Sequence, residues 1–201
     1  MRRFIFAIFT LLSLSIHAQS DADARKILDK TAAVVNNKDG ISAAFTISTS
    51  NAGSTNGKIY FKGTRFKAVT EDFIVWFNGK TQWAYMKQTD EVNITTPSKE
   101  QQAAMNPYTF INIYKEGYAL KKKVVGTNYV VTLTATSKQK GIKEMTITIN
   151  KQTYVPSQIK MLQDGTWTTI KISNFKQSKL PVSTFIFNKQ ECPDAEIVDL
   201  R

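Results

Sequence analysis

At 201 residues, with 42% apolar side chains, the chain is long enough for one domain with a sizeable core. Its formal net charge is +11 and it has one cysteine, which excludes an intramolecular disulfide and leaves the fold to rest on packing. One histidine excludes multi-histidine metal centres.

The first 18 residues read as a leader. Arg2 and Arg3 precede an uncharged, mostly apolar run from Phe4 to Ile16, then Ala18 before Gln19 and Ser20. As a helix rising about 1.5 Å per residue, that run is too short for a hydrocarbon core of about 30 Å. A basic start, a short apolar run and a small residue before a polar one describe a secretory signal peptide cleaved after Ala18. Position 19 is Gln, so no N-terminal cysteine is left to carry a lipid. No later run is apolar enough to span a membrane, and a soluble, periplasmic product is expected. Cleavage removes Arg2, Arg3 and His17, which lowers the formal charge to +9 and leaves no histidine. The remaining residues, 19–201, read as one domain, with no repeat, low-complexity tract or linker.

Residues 24–35 follow. Ala24, Ile27, Leu28, Thr31, Val34 and Val35 recur at helical spacing, ended near Asn36-Asn37 and Gly40. Beyond Gly40 the period changes to two, as in Ile41, Ala43, Phe45 and Ile47. Strands follow around Ile59 and Phe61, around Phe66 and Ala68, and at 73–77 and 81–87, the last two flanking the hairpin dipeptide Asn78-Gly79. Further strands read at 91–95, 119–125, 128–136, 142–150, 154–162 and 166–175. This makes about eleven strands with short connections, an antiparallel sandwich or barrel.

The stretch 98–117 interrupts the pattern. Pro97, Ser98 and Gln101 fit a capping box, and Asn106-Pro107 begins a second short helix that Gly117 stops. Met105, Phe110, Ile111, Ile113 and Tyr114 are too many bulky groups to leave in water. Two short helices in one long connection have the form of a lid, or of a crossover packed across a barrel end.

Catalytic chemistry is poorly supplied. Without histidine, His-based acid–base catalysis, triads and His-ligated metals drop out together. The phosphate-loop, dinucleotide and nucleophile-elbow motifs are absent. Cys192 stands between Glu191 and Pro193-Asp194, an acidic setting that disfavours a thiolate. Glu71-Asp72 and Asp90-Glu91 are carboxylate pairs at strand ends, but sequence neighbours in a strand point to opposite faces and do not converge on a glycosidic bond. No enzyme, cofactor or metal is expected.

The apolar inventory points to an interior instead. Both faces of 73–77 and of 83–86 carry large apolar groups. Such a sheet needs covering on both sides, one by the helix and the other by a solid core or a hydrophobic pocket. Lys121, Lys122 and Lys123, with Lys138, Lys140 and Lys143, supply the basic balance, either as a solvated surface or as a field for acidic lipid or an acidic partner. Export disfavours nucleic acid.

Several stretches in order resemble one family. After the helix come Gly40-Ile41-Ser42-Ala43-Ala44-Phe45-Thr46, then Gly57-Lys58-Ile59-Tyr60-Phe61-Lys62, then Asn78-Gly79-Lys80-Thr81-Gln82-Trp83-Ala84-Tyr85 and the 98–117 connection. Together these are similar to LolA, the periplasmic carriers of bacterial lipoproteins, in particular a divergent LolA-like branch. The resemblance implies an incomplete antiparallel barrel of about eleven strands, an N-terminal helix and a helical lid over a cavity for lipoprotein acyl chains. It implies a monomer that accepts cargo from an inner-membrane lipoprotein-releasing ABC exporter and delivers it to an outer-membrane acceptor or to the membrane. The family's strand is followed by a basic residue and proline that latch the lid. Here Gly63 stands at that position, and Lys62 and Arg65 are the candidate latch.

On this reading Phe45, Ile47, Ile59, Phe61, Trp76, Trp83, Tyr85, Leu133, Ile147, Ile149 and Ile159 belong to the cavity or its core. Met105, Phe110, Ile111, Ile113 and Tyr114 form the lid, and Lys121, Lys122 and Lys123 are the docking candidates. A general carrier of lipids, or a lipoprotein-sensing interaction module on the same fold, is the alternative. The lack of a second domain weighs against the module.

Overall fold

A computed structural model describes residues 21–98, 102 and 112–201. The expected leader and three of the lid candidates, Met105, Phe110 and Ile111, lie outside the described residues. Helix α1 spans residues 21–35, with Asp21 and Asp23 in its first turn, where carboxylates meet the positive end of the helix. Of the stripe read from the sequence, Ala24, Ile27, Leu28, Thr31 and Val35 are buried and Val34 is half-buried. Thr31 is tolerated there because its hydroxyl donates to the Ile27 carbonyl at 3.0 Å.

The strands before the 98–117 connection are β1 (Ile41–Thr49), β2 (Ala52–Lys62), β3 (Arg65–Thr70), β4 (Phe73–Phe77), β5 (Gln82–Met86) and β6 (Glu91–Thr95). After it come β7 (Tyr118–Val125), β8 (Asn128–Ala135), β9 (Ile142–Asn150), β10 (Pro156–Gln163), β11 (Thr166–Gln177) and β12 (Glu196–Asp199). They form one sheet in the order β12-β6-β5-β4-β3-β2-β1-β11-β10-β9-β8-β7. Two meanders are joined where β1 pairs with β11, and β7 and β12 are left as edges, so the barrel is incomplete. The eleven strands read from alternation are all present. The twelfth, β12, runs parallel to β6 and adds an edge that the sequence pattern did not announce.

The Asn78-Gly79 hairpin forms with a different division of labour from the one the dipeptide suggests. Only Gly79 adopts positive φ, at 99°. Asn78 instead offers its side-chain carbonyl to the backbone N–H groups of Lys80 and Thr81, at 2.9 and 2.8 Å.

Coverage of the sheet differs from expectation. Helix α1 and the interior share one face, called inner here. Ala24, Ile27 and Leu28 pack there on Leu120, Val131, Leu133, Met145, Ile147 and Ile149. In β4, Phe77 lies on that same face and packs with Val35, Ile41, Phe61 and Phe66. The apolar groups on the outer face are covered by the segment after β11. Phe187, Cys192 and Ala195 pack on Trp76 and Val92, with Ile74, Trp83 and Tyr85 around them. The rings of Trp76 and Phe187 meet edge-on at 5.4 Å, and Lys67 pairs with Glu191 at 2.7 Å. This arm is the cover that the two-sided apolar pattern of β4 and β5 demands.

A cavity between the helix and the β1–β11 seam

A helix of this length reaches about 22 Å, whereas twelve strands spaced about 4.8 Å apart sweep an arc of about 50 Å. Helix α1 therefore fills the inner face over β7–β10 and leaves the middle of the sheet without a second layer. There the structure has a cavity of about 500 Å³. Val35, at the last turn of α1, stands at one side of it. Ile41, Ala43, Phe45 and Ile47 from β1 and Ile59 from β2 line it. Phe66 and Ala68 from β3 and Phe73 from β4 continue the wall, and Ile159, Met161, Ile170, Ile172 and Phe175 close it from β10 and β11. Threonines 55, 70 and 168 are the polar side chains of the lining, and no charged side chain contributes among the described residues. Thr70 is satisfied locally, its hydroxyl donating to the Phe73 carbonyl at 3.2 Å and accepting from the Phe73 N–H at 3.1 Å.

The candidate cavity residues divide three ways. Phe45, Ile47, Ile59 and Ile159 line the cavity. Leu133, Ile147 and Ile149 lie on the same face but are buried beneath α1, and Phe61 is buried in the cluster with Phe66 and Phe77. Trp76, Trp83 and Tyr85 are on the opposite face, under the C-terminal arm, because they alternate with the inward residues of β4 and β5. Phe66, Ala68, Ile170, Ile172 and Phe175 were missed, although the alternation of β11 already set Ile170 and Ile172 on one side.

The remaining candidates have structural partners. Tyr114 is buried, and its hydroxyl donates to the Asp29 carboxylate at 2.5 Å while Arg25 donates to its carbonyl at 3.1 Å. Ile113 packs on the cluster under α1. Both thus anchor the end of the 98–117 connection to α1. Gly117, with φ of 78°, follows the short 3-10 turn Ile113–Lys115. At the start of the connection, the Gln102 N–H donates to the Ser98 carbonyl at 2.8 Å.

The candidate latch residues serve other contacts. Lys62 donates to the Leu180 carbonyl at 3.0 Å and Arg65 to the Asn78 carbonyl at 3.2 Å, so one holds the C-terminal arm and the other the β4–β5 hairpin. Of the three docking lysines, Lys122 faces inward and pairs with Asp23 at 2.8 Å, which holds that carboxyl below its usual range. Lys121 and Lys123 are exposed on the outer face.

Two groups under the C-terminal arm, Cys192 and Tyr85, are raised above their usual range. Burial, reinforced by Glu191, pushes the Cys192 thiol up. The hydroxyl of Tyr85 donates to Asp90 at 2.8 Å, which raises that phenol. Among the described residues no group of histidine, cysteine and carboxylate side chains is placed to hold a metal, and no helix is long and apolar enough to cross a membrane.

A family model described as outer membrane lipoprotein carrier protein LolA matches residues 14–165. The chain belongs to the LolA family. No curated protein matches it in sequence. Among solved structures, this LolA-family chain is similar to an uncharacterized conserved protein from Thermus thermophilus, at 15% identity and a TM-score of 0.60, covering 88% of this chain and 99% of that one. It is also similar to the lipoprotein LppX of Mycobacterium tuberculosis, at 10% identity and a TM-score of 0.53, covering 81% of this chain and 100% of that one. At these identities the likeness is one of fold. In both cases nearly the whole partner chain is matched.

Proposed function

We propose that this LolA-family protein is a periplasmic carrier, not an enzyme, that takes the acyl chains of lipoproteins into the inner-face cavity and moves them from the inner to the outer membrane. The observation that carries this reading is a cavity of about 500 Å³ walled by aliphatic and aromatic side chains, with threonine hydroxyls as its only polar groups among the described residues. That volume falls within the roughly 300–1,000 Å³ common to small-molecule sites. A wall without charge suits hydrocarbon and leaves any polar headgroup outside.

The energetics suit a carrier. An acyl chain of about 15 methylenes gains roughly 12 kcal/mol on leaving water, so it does not cross an aqueous compartment unaided. A carrier has to match much of that burial and still release the chain. We read Met105, Phe110 and Ile111 as the apolar groups of a lid that competes with cargo for the same wall, which keeps net affinity moderate. An inner-membrane ABC exporter as donor and an outer-membrane acceptor complete the route, with the protein acting as a monomer.

A second reading, a general carrier of lipids, is favoured by the same lining, since nothing in this wall distinguishes a lipoprotein acyl chain from that of a free phospholipid. Titration with a fluorescent fatty acid tests the feature common to both readings. Saturable uptake by the unaltered protein, weakened by Ala68→Trp, is the expected result. No uptake by the unaltered protein refutes both.

A further inference from the structure

The excess positive charge is sorted by the sheet. Lys58, Lys121, Lys123, Lys160, Lys171 and Lys176 are all exposed and all stand on the outer face, opposite α1 and the cavity. The strand register shows how they are arranged. Lys121 and Lys160 stand in one cross-strand row, with Thr132 and Thr146 between them and Thr169 beyond. Lys123 and Lys171 stand in the next row, separated by Val130, Thr148 and Gln158. Lys58 and Lys176 extend the field beside Ala44 and Ser42 of β1. None of these lysines takes part in the ion pairs seen among the described residues. Glu144 is the one carboxylate on the outer-face positions of β7–β11, β1 and β2 among the described residues.

From β7 to β2 this face spans six strand spacings, an arc of about 30 Å. Neighbours in adjacent rows, Lys121 with Lys123 and Lys160 with Lys171, lie within about a Debye length of one another at physiological salt, so their fields add. The threonines between them are short, which leaves the ammonium groups as the most protruding points. At one end Trp167 stands opposite Leu162, and the Lys160 Nζ lies 4.4 Å from the Trp167 ring centroid. An aromatic ring beside an aliphatic side chain under a lysine suits the boundary between headgroups and hydrocarbon. An acidic protein would need a matching relief, whereas a lipid surface needs only dispersed negative charge, which lysines spread over a broad face meet.

We propose that this outer face docks the protein on bilayers rich in anionic lipid, leaving the cavity side free. The docking requires no cargo and stands apart from what the cavity holds. Its test is co-sedimentation of the purified protein with phosphatidylcholine vesicles, with and without phosphatidylglycerol. Binding is expected only with phosphatidylglycerol and falls as salt rises. The variant carrying Lys58→Gln, Lys123→Gln and Lys171→Gln, all at exposed positions, should bind on the order of 100-fold more weakly with an unchanged melting temperature. Lys38→Gln with Lys138→Gln, which removes charge from turns outside these rows, should change binding far less. Equal binding to both kinds of vesicle, no binding to either, or full binding by the triple variant overturns the proposal. Retention on polyglutamate with none on phosphatidylglycerol vesicles also overturns it and assigns the face to an acidic protein.

Discussion

Phe45 and Gly57 face each other across β1 and β2, and a Cβ on residue 57 would lie 2.5 Å from Phe45 Cζ and 2.6 Å from the Val69 carbonyl oxygen. The Phe45 ring thus occupies the place where a side chain at 57 would stand, and it forms part of the cavity wall there. Glycine inside a strand costs about 0.5–1 kcal/mol relative to alanine. Here the cost has a reason, because the ring needs the space.

Gly57→Ala should therefore displace the Phe45 ring and strain β2 against β3. Overpacking of this kind costs about 1–3 kcal/mol, and each kcal/mol lowers the melting temperature by about 2–4 °C in a chain of this size. Thermal unfolding with a parallel titration of fluorescent fatty acid checks it. Both stability and uptake should fall, and an unchanged melting temperature would mean that the ring has room to move aside.

Ala68→Trp tests the cavity from the opposite direction. Ala68 is half-buried on β3 and lines the cavity, so a larger side chain has space to enter without moving the backbone. Uptake of the probe should weaken on the order of tenfold or more, the loss of about 1.4 kcal/mol of binding. The melting temperature should hold or rise. A variant that melts much lower would show that position 68 is tightly packed instead.

The strands and α1 were legible because period-two and helical alternation report directly which residues one layer has to bury. Phe45, Ile47, Ile59 and Ile159, which line the cavity, were legible for the same reason as residues of the cavity or its core, but not as lining in particular. The side on which Trp76, Trp83 and Tyr85 lie was not legible, because both faces of β4 and β5 are apolar and periodicity carries no sign. What resolves it is the C-terminal arm, whose Phe187, Cys192 and Ala195 are too sparse to read as a covering layer. Strand β12 was hidden likewise, being four residues long and parallel to its neighbour. For the lysines, a run of three neighbours in a strand alternates faces, so Lys122 turns inward to Asp23 while Lys121 and Lys123 do not.

Tyr114→Phe separates an anchor from a moving part. Removing the hydroxyl that reaches Asp29 should cost about 1 kcal/mol, a fall of about 2–4 °C in melting temperature. Uptake of the probe should be unchanged, since Tyr114 is absent from the cavity lining. A change in affinity with no change in stability would instead make Tyr114 part of a moving lid.

Cys192 reports on the C-terminal arm. It is 5% exposed, and burial together with Glu191 raises its thiol pKa, so the thiolate is scarce at neutral pH. Alkylation at neutral pH should be slow in the native protein and rapid in denaturant. Labelling at the rate of a free thiol would mean that the arm does not stay on Trp76.

The carrier reading itself is tested most directly by native mass spectrometry with lipid extraction on protein purified from the periplasm of a lipoprotein-producing host. A carrier will be found with acylated lipoprotein bound to single copies of the chain, and Ala68→Trp will lose it. A chain that carries no acyl lipid of any kind, in a host where lipoproteins are made and exported, would contradict the carrier reading.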